Sequence, residues 1–236
     1  MSEKVVWITG ASTGIGFETA KAFAKADYIV VATARRKSRL VTLVKELKFI
    51  GCKAFAFVCN VQSERSIIST KKKIIENCGT VDIIVNNAGV TVFKSLMETK
   101  SYEFDSIMDT NLRGSFLMMK AVLPLMMKKR RGHIINVLSV AAKTVFEDSS
   151  VYSASKAGLL ALANSLRAEV RKFNIKVTNI FPGSIDTAMW DSRIRARFRN
   201  RMISPAEVAK IIVQAADQPK KVVVEDVVIR PIKGDL

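Results

Sequence analysis

The sequence predicts an α/β protein built on one doubly wound parallel sheet of about seven strands, with helices on both faces. Three observations predict it. Seven short apolar runs recur along the 236 residues, most of them without polar alternation, and strands that read this way are covered on both faces. Segments of helical period lie between the runs, so the chain reads strand, helix, strand throughout, the pattern of right-handed crossover units. Hydrophobic residues make up 49% of the chain, enough for one large core.

The elements follow in order. Residues 5–9 form the first apolar run, and a glycine-rich turn leads from it into a helical pattern over 16–26. Runs at 28–33, 54–58 and 81–85 alternate with helical patterns at 38–49 and 63–77. A long helical pattern over 101–129 precedes the run 133–138, and another over 151–173 precedes 176–180. Residues 184–203 break the rhythm; they are too many for an ordinary connection and read as a substrate lid. Ser204 and Pro205 pair as N-cap and first helical residue for a helix over 205–217. A last run spans 222–229. No linker or repeat intervenes, so 1–236 reads as a single domain, and Pro and Gly, at 5 and 11, are too sparse for a disordered tail.

Composition narrows the function classes. The formal charge of +17 invites a nucleic-acid reading. The basic residues are nevertheless scattered over 71–73, 128–131 and 193–201, beside no RNA-binding motif, zinc module or aromatic platform. Nucleic acid is therefore not expected as the primary partner. Cys52, Cys59 and Cys78 form no CxxC pair and support neither a disulfide framework nor a metal site. The one histidine, His133, opens a strand, and a structural role is expected for it rather than a Ser-His-Asp triad. The N-terminus has no signal-like apolar segment and no stretch has the length of a membrane span, so a cytoplasmic protein without membrane contact is expected.

The first turn reads Thr9-Gly10-Ala11-Ser12-Thr13-Gly14-Ile15-Gly16. Glycines between a strand and a helix allow a tight turn and let the backbone approach a pyrophosphate, which the helix N-terminus then attracts. Further along come Asn86-Asn87-Ala88-Gly89, Asn111, Ser139, Tyr152-Ser-Ala-Ser-Lys156 and Pro182-Gly183, each at the end of its expected element. In these motifs, their order and their spread over nearly the whole chain, the sequence resembles the short-chain dehydrogenase/reductase family. The resemblance implies a Rossmann-type fold and a hydride exchanged between a nicotinamide cofactor and a carbonyl or alcohol. It also implies that Gly10, Ser12, Thr13, Gly14, Ile15 and Gly16 surround the pyrophosphate, and that Asn87, Ala88 and Gly89 wall the adenine-ribose side.

NAD-dependent Rossmann proteins usually carry an acidic residue at the end of the second strand. Here that strand ends Thr33-Ala34-Arg35-Arg36. With Ala34 in place of a carboxylate, a 2′-phosphate meets no like charge, and guanidinium groups bind phosphate in bidentate fashion, so NADP(H) is expected with Arg35 and Arg36 as its partners. Asn60, before Val61, stands where many relatives have aspartate; its side-chain carbonyl can still accept from the adenine amino group.

Tyr152 and Lys156 lie four residues apart in a helical pattern and share a face, roughly 6 Å apart at Cβ. An ammonium beside a phenol favours the phenolate, so Lys156 is expected to lower the pKa of Tyr152 and fit it for acid-base work. By resemblance, Lys156 also holds the nicotinamide ribose, Ser139 hydrogen-bonds the substrate oxygen, and Asn111 interrupts a helix and holds a water in a proton relay. The resemblance further implies that Pro182, Gly183, Ile185 and Thr187 touch the nicotinamide and pyrophosphate. Arginines alternate at 193, 195, 197, 199 and 201; in a helix Arg193, Arg197 and Arg201 would share a face. A solvated lid is the reading preferred, with an anion-attracting lid as the alternative. The ending Val228-Ile-Arg-Pro231 looks like the branch of 3-hydroxy acid and serine dehydrogenases and their broad-specificity reductase relatives. The expected substrate is thus a small carbonyl or alcohol, a 3-hydroxy acid or semialdehyde; a 3-oxoacyl-thioester reductase and a catalytically silent NADP(H)-binding regulator are the alternatives. By resemblance, the long apolar helices over 111–127 and 151–171 pair protomers across a two-fold axis into a homodimer or homotetramer.

Overall fold

The computed structural model describes residues 3–236. Seven strands, β1 (Val5–Thr9), β2 (Ile29–Ala34), β3 (Ala54–Val58), β4 (Ile83–Asn86), β5 (Gly132–Val137), β6 (Ile175–Pro182) and β7 (Asp226–Ile229), form one sheet in the order β3-β2-β1-β4-β5-β6-β7. Every pairing is parallel. Chain order reverses at β1, which lies between β2 and β4. The crevice beyond the carboxyl ends of such strands is where doubly wound sheets bind ligands.

The helices are α1 (Gly14–Lys25), α2 (Lys37–Phe49), α3 (Glu64–Cys78), α4 (Ser101–Met108), α5 (Gly114–Lys129), α6 (Ser150–Val170), α7 (Ser192–Phe198) and α8 (Pro205–Ala216). Continuous apolar strands require two cores, and the alternation of side chains along each strand supplies both. Val6, Ile8, Val30 and Ala32 pack with Phe23, Leu40, Leu43, Val208 and Ile212 under α1, α2 and α8. Val5, Trp7, Ile29 and Val31 point the other way, toward Ile67, Ile74, Met118, Val122, Leu159 and Ala163 of α3, α5 and α6.

Two expected elements differ. The helical pattern over 101–129 is two helices separated by a π-helical turn, Asp109–Arg113. Tertiary hydrogen bonds from the buried Asn111 hold that turn open, and local periodicity does not register them. The last strand begins at Asp226 rather than 222, because only Asp226–Ile229 stays in register with β6. Upstream of it, Val224 O accepts from the Thr178 hydroxyl, and Glu225 O from the Asn179 N–H and Arg167 Nη2.

Polar side chains inside the sheet bond to one another in a row, with Asn86 Oδ1 at its end the one buried atom of the row left without a partner among the described residues. Asn86, Asn136, Asn179 and Asp226 occupy directly opposed positions on β4, β5, β6 and β7. The Asn86 amide donates to Asn136 at 2.9 Å, Asn136 to Asn179 at 3.1 Å, and Asn179 to the Asp226 carboxylate at 3.2 Å. Arg167 and Lys143 close the row on Asp226, at 3.0 and 3.2 Å. His133 is buried on β5 with Nε2 2.7 Å from Thr178 Oγ1. The Thr178 hydroxyl gives its one proton to Val224 O at 2.6 Å. Nε2 of His133 must therefore be the donor in that pair. Burial, aided by Lys176 and Lys4, pushes the imidazole pKa down to about 3, and a neutral, structural histidine is the result.

Candidate active site

The glycine turn follows from two conformational demands. Gly10 has φ +65°, and a Cβ there would lie 2.9 Å from Ala88 Cα. Gly14 has φ +59° and faces Thr187 across the cleft, 3.2 Å from where its Cβ would be to Thr187 Cγ2. The turn is clamped to β4 by side chains: Thr9 Oγ1 accepts from the N–H of Asn87 and of Ala88, each at 3.0 Å, and Asn87 Nδ2 donates to Thr9 O at 2.9 Å. Helix α1 then starts at Gly14 with no side chain capping it and no acidic residue in its first turn. Its orphan N–H groups and partial positive charge remain available to an anion.

One cleft of about 850 Å³ runs over the carboxyl edge of the sheet. Its walls include Gly10, Ser12, Thr13, Gly14 and Ile15, then Arg35 and Arg36, Asn60 and Val61, and Asn87, Ala88 and Gly89. Ser139, Tyr152, Lys156, Pro182, Gly183, Ile185 and Thr187 line it as well. Gly16 and Asn111 stand behind this wall: Gly16 packs against Gly10 O, and Asn111 is fully buried. Arg35 and Arg36 are exposed at the mouth, where α2 begins, and Arg36 reaches Ser12 Oγ at 3.5 Å. Asn60 Oδ1 already accepts from Gln62 N at 3.2 Å, which leaves one lone pair for a ligand. The uncapped helix, the close backbone approach and the arginine pair suit a dinucleotide with an extra phosphate.

At the other end of the cleft, helix α6 carries Tyr152 and Lys156 on one face, with Lys156 Nζ 5.7 Å from the Tyr152 ring centre. Lys156 Nζ donates to Val137 O at 2.8 Å. Asn111 Oδ1 accepts from Val90 N at 2.9 Å, and its Nδ2 donates to Val90 O at 2.9 Å and to Ser155 Oγ at 3.0 Å. Asn111 thus joins the loop after β4 to α6. Ser139 opens a short 3-10 turn, Val140–Ala142, and accepts from Ala141 N at 3.1 Å.

The electrostatics depart from expectation. The Tyr152 phenol is pushed up to about 12 by burial, which a hydrogen bond with Ser139 only partly offsets. Burial also lowers Lys156 to about 8. The ammonium therefore does not hold the phenol down in this chain by itself: both groups have left water, and desolvation disfavours the charged form of each. Tyr152 is held protonated, the state a proton donor needs.

The segment from Ser184 to Ile203 returns on itself. Ile185 and Ile203 form a parallel bridge at its base, with Asp186 N donating to Ile203 O at 2.9 Å and Ile203 N to Ser184 O at 3.0 Å. Inside it, the Asp186 carboxylate receives Arg195 and Arg199, and these pairs hold its pKa below the usual carboxylate range. Arg193 pairs with Asp191 at 3.5 Å, and Arg197 and Arg201 lie over the Phe198 ring. The shared face expected for Arg193, Arg197 and Arg201 does not form, since α7 ends at Phe198 and the chain tightens into a 3-10 turn. None of these arginines lines the cleft.

Sequence reasoning missed several lining residues. Phe93, Phe146, Met189 and Trp190 come from loops without periodicity. Asp235 accepts from Ser184 N at 3.1 Å and pairs with Arg230 at 3.0 Å, bringing the tail onto the Pro182-Gly183 turn. A carboxylate directly after an isolated Lys233-Gly234 pair gave no local signal. Thr9 and Asn86 lay in the quoted motifs but were not singled out.

Residues 4–197 match the family model described as short chain dehydrogenase. The chain is 33% identical over 239 residues to a sepiapterin reductase of Chlorobaculum tepidum, covering 98% of each. It is 35% identical to an uncharacterized oxidoreductase of Staphylococcus haemolyticus, covering 98% of this chain and 99% of that one. Among solved structures, a metagenomic short-chain oxidoreductase in complex with NADP superposes with a TM-score of 0.86 at 31% identity, covering 97% of this chain and 96% of that one. The closed form of a serine dehydrogenase complexed with NADP+ superposes with a TM-score of 0.92 at 26% identity, over 98% and 96%.

Proposed function

Because this chain belongs to the short-chain dehydrogenase/reductase family of oxidoreductases, we propose that it is an NADP(H)-dependent enzyme that interconverts a carbonyl and a secondary alcohol, with Tyr152 as the proton donor. The observation that carries this reading is that Ser139, Tyr152 and Lys156 converge on the same cleft as the glycine turn, with Asn111 directly behind them. When bound, NADPH supplies the hydride that reduces the carbonyl carbon.

The chain's own residues do the rest. Gly10 to Gly16 admit the pyrophosphate to the uncapped start of α1, and Arg35 and Arg36 take the 2′-phosphate. Asn60, Val61, Asn87, Ala88 and Gly89 wall the adenosine, while Pro182, Gly183, Ile185 and Thr187, in the same cleft, touch the nicotinamide and the pyrophosphate. Ser139 donates to the substrate oxygen and steadies the charge that develops there. Tyr152 protonates that oxygen, giving the alcohol. Lys156, anchored on Val137 O, stands beside Tyr152 to orient the ribose and to supply positive charge once phenolate forms. Asn111 positions this set by tying Val90 to Ser155 on α6. We read residues 1–236 as one domain, 184–203 as its lid, and the protein as a cytoplasmic homodimer or homotetramer with α5 and α6 at the contact; no helix among the described residues is long and apolar enough to cross a membrane.

The test is NADPH consumption against a carbonyl panel, with Tyr152→Phe as its control. Turnover lost by at least a thousandfold, with NADPH affinity within about twofold, is the expected result. Retained turnover removes Tyr152 from the role.

A further inference from the structure

Past Tyr152 the cleft has an aromatic wall. The Phe93 and Trp190 rings stack with centres 5.3 Å apart and planes 17° off parallel, and Phe93 leans on the Tyr152 ring at 6.5 Å and 60°. Phe93 comes from the loop after β4 and Trp190 from the segment after β6, so two distant stretches meet over the proposed proton donor. Phe146 and Met189 line the same cleft. Phe93 is 43% exposed and Met189 42%. Apolar surface left open to water beside a reactive group is surface for a ligand to cover.

The charges of the cleft narrow the ligand further. Its lining cations are Lys156 beside Tyr152 and the Arg35–Arg36 pair at the adenosine end. The exposed Glu147 also lines it and has no ion-pair or hydrogen-bond partner among the described residues. Of the lid arginines, Arg195 and Arg199 pair with Asp186 and Arg193 with Asp191, Arg197 and Arg201 lie over the Phe198 ring, and none of the five lines the cleft. A carboxylate-bearing substrate would meet an acidic group in this cleft, whose lining guanidinium groups are Arg35 and Arg36 at the adenosine end.

Resting on the carbonyl-reductase reading, we propose that the substrate is a flat aromatic carbonyl compound without a carboxylate, its ring lying against the Phe93–Trp190 wall while its carbonyl oxygen meets Ser139 and Tyr152. Flat rings prefer such walls because offset stacking adds to the apolar area buried. The selectivity thus resides in Phe93 and Trp190, and small 3-hydroxy acids and semialdehydes become poor substrates.

Three probes separate these classes: 1-phenyl-1,2-propanedione, 2,3-butanedione and succinic semialdehyde. The wild type should favour the aryl dione in kcat/KM by about a hundredfold or more over both others. Trp190→Ala and Phe93→Ala should each cut the ratio of aryl to alkyl dione at least tenfold, mainly through KM of the aryl dione. Preference for the semialdehyde, or a ratio unchanged within twofold in both variants, overturns the proposal. Binding gives a readout apart from turnover. The chain has two tryptophans and Trp7 is fully buried in the core, so with protein saturated in NADP+ the aryl dione should quench Trp190 saturably, and Trp190→Phe should abolish the signal. If the wild type reduces none of the three, the reductase reading falls, and the titration alone decides the wall: saturable quenching upholds it and no quenching overturns it.

Discussion

Acidifying the protein from pH 7 to 5 should cost it about 2 kcal/mol of stability through one side chain, His133. Its folded pKa, near 3, lies below the ordinary 6.5 because burial and the nearby Lys176 and Lys4 oppose the imidazolium. Between those two values the unfolded chain binds a proton that the folded chain refuses, so stability falls as pH falls through the window. Each pH unit fully inside it is worth about 1.4 kcal/mol, and the drop from 6.5 to 5 accounts for nearly all of the 2 kcal/mol. The carboxylates held below their ordinary range here, Asp186, Asp191, Glu103, Glu207 and Asp226, add their own losses mostly below pH 5, where their unfolded forms protonate. The interval from 7 to 5 therefore isolates the histidine. His133→Gln keeps an N–H donor for Thr178 Oγ1 and cannot titrate. Equilibrium urea unfolding at pH 7.0 and 5.0 should show the wild type losing about 2 kcal/mol, or roughly 4–8 °C in Tm, and the variant losing under about 0.5 kcal/mol. An equal loss in the variant would refute the assignment of the acid sensitivity to His133 and with it the buried neutral tautomer.

Arg35→Asp should weaken NADPH by about 10- to 100-fold, from the loss of a charged hydrogen bond, and NADH by less than about threefold, measured by titration of the cofactor fluorescence. Lys156→Met should abolish turnover and yet raise stability at neutral pH. The folded pKa near 8 lies below the ordinary 10.5, so the unfolded lysine binds the extra proton and stability grows as pH rises from about 8 to 10.5; removing it recovers about 2 kcal/mol after the lost bond to Val137 O, read as a higher unfolding midpoint and a flatter pH profile over that window. Asp186→Asn should release Arg195 and Arg199 and speed tryptic cleavage between 193 and 201 severalfold, while the rest of the chain keeps its cleavage rate. Cleavage at wild-type speed would mean that the bridge between Ile185 and Ile203, rather than the ion pairs, holds the segment.

What could be read from the residues was what local rules govern. Strands such as Val5–Thr9 are continuous apolar runs because both faces are covered, and the sequence carries that directly. Gly10 and Gly14 were legible since a turn with positive φ at both admits little else. Other features needed the third dimension. The π turn at Asp109–Arg113 keeps helical composition, and only the bonds of Asn111 to Val90 and Ser155 distinguish it. The direction of the Tyr152 shift was misjudged because the i, i+4 spacing reveals the ammonium but not the burial. Phe93 and Trp190 are isolated aromatics in separate loops, and no periodicity brings them together. The asparagines at 86, 136 and 179 did leave a signal: a polar residue inside a strand buried on both faces must find a partner, and three such strands adjoin.

That row of amides has a consequence for how the molecule can vary. Sliding any of β4, β5 or β6 by one residue would set an asparagine against an apolar neighbour and leave two buried amides unpaired, so the row serves as a datum line across the sheet. The chemistry is dimensioned from that line: Asn87 stands one residue beyond it, and Ser139 and Pro182 each stand three. Loops past those offsets, where Phe93 and Trp190 reside, can lengthen or change composition without moving the reference from which the reacting groups are measured. Diversification of substrate is thereby decoupled from the alignment of the catalytic groups.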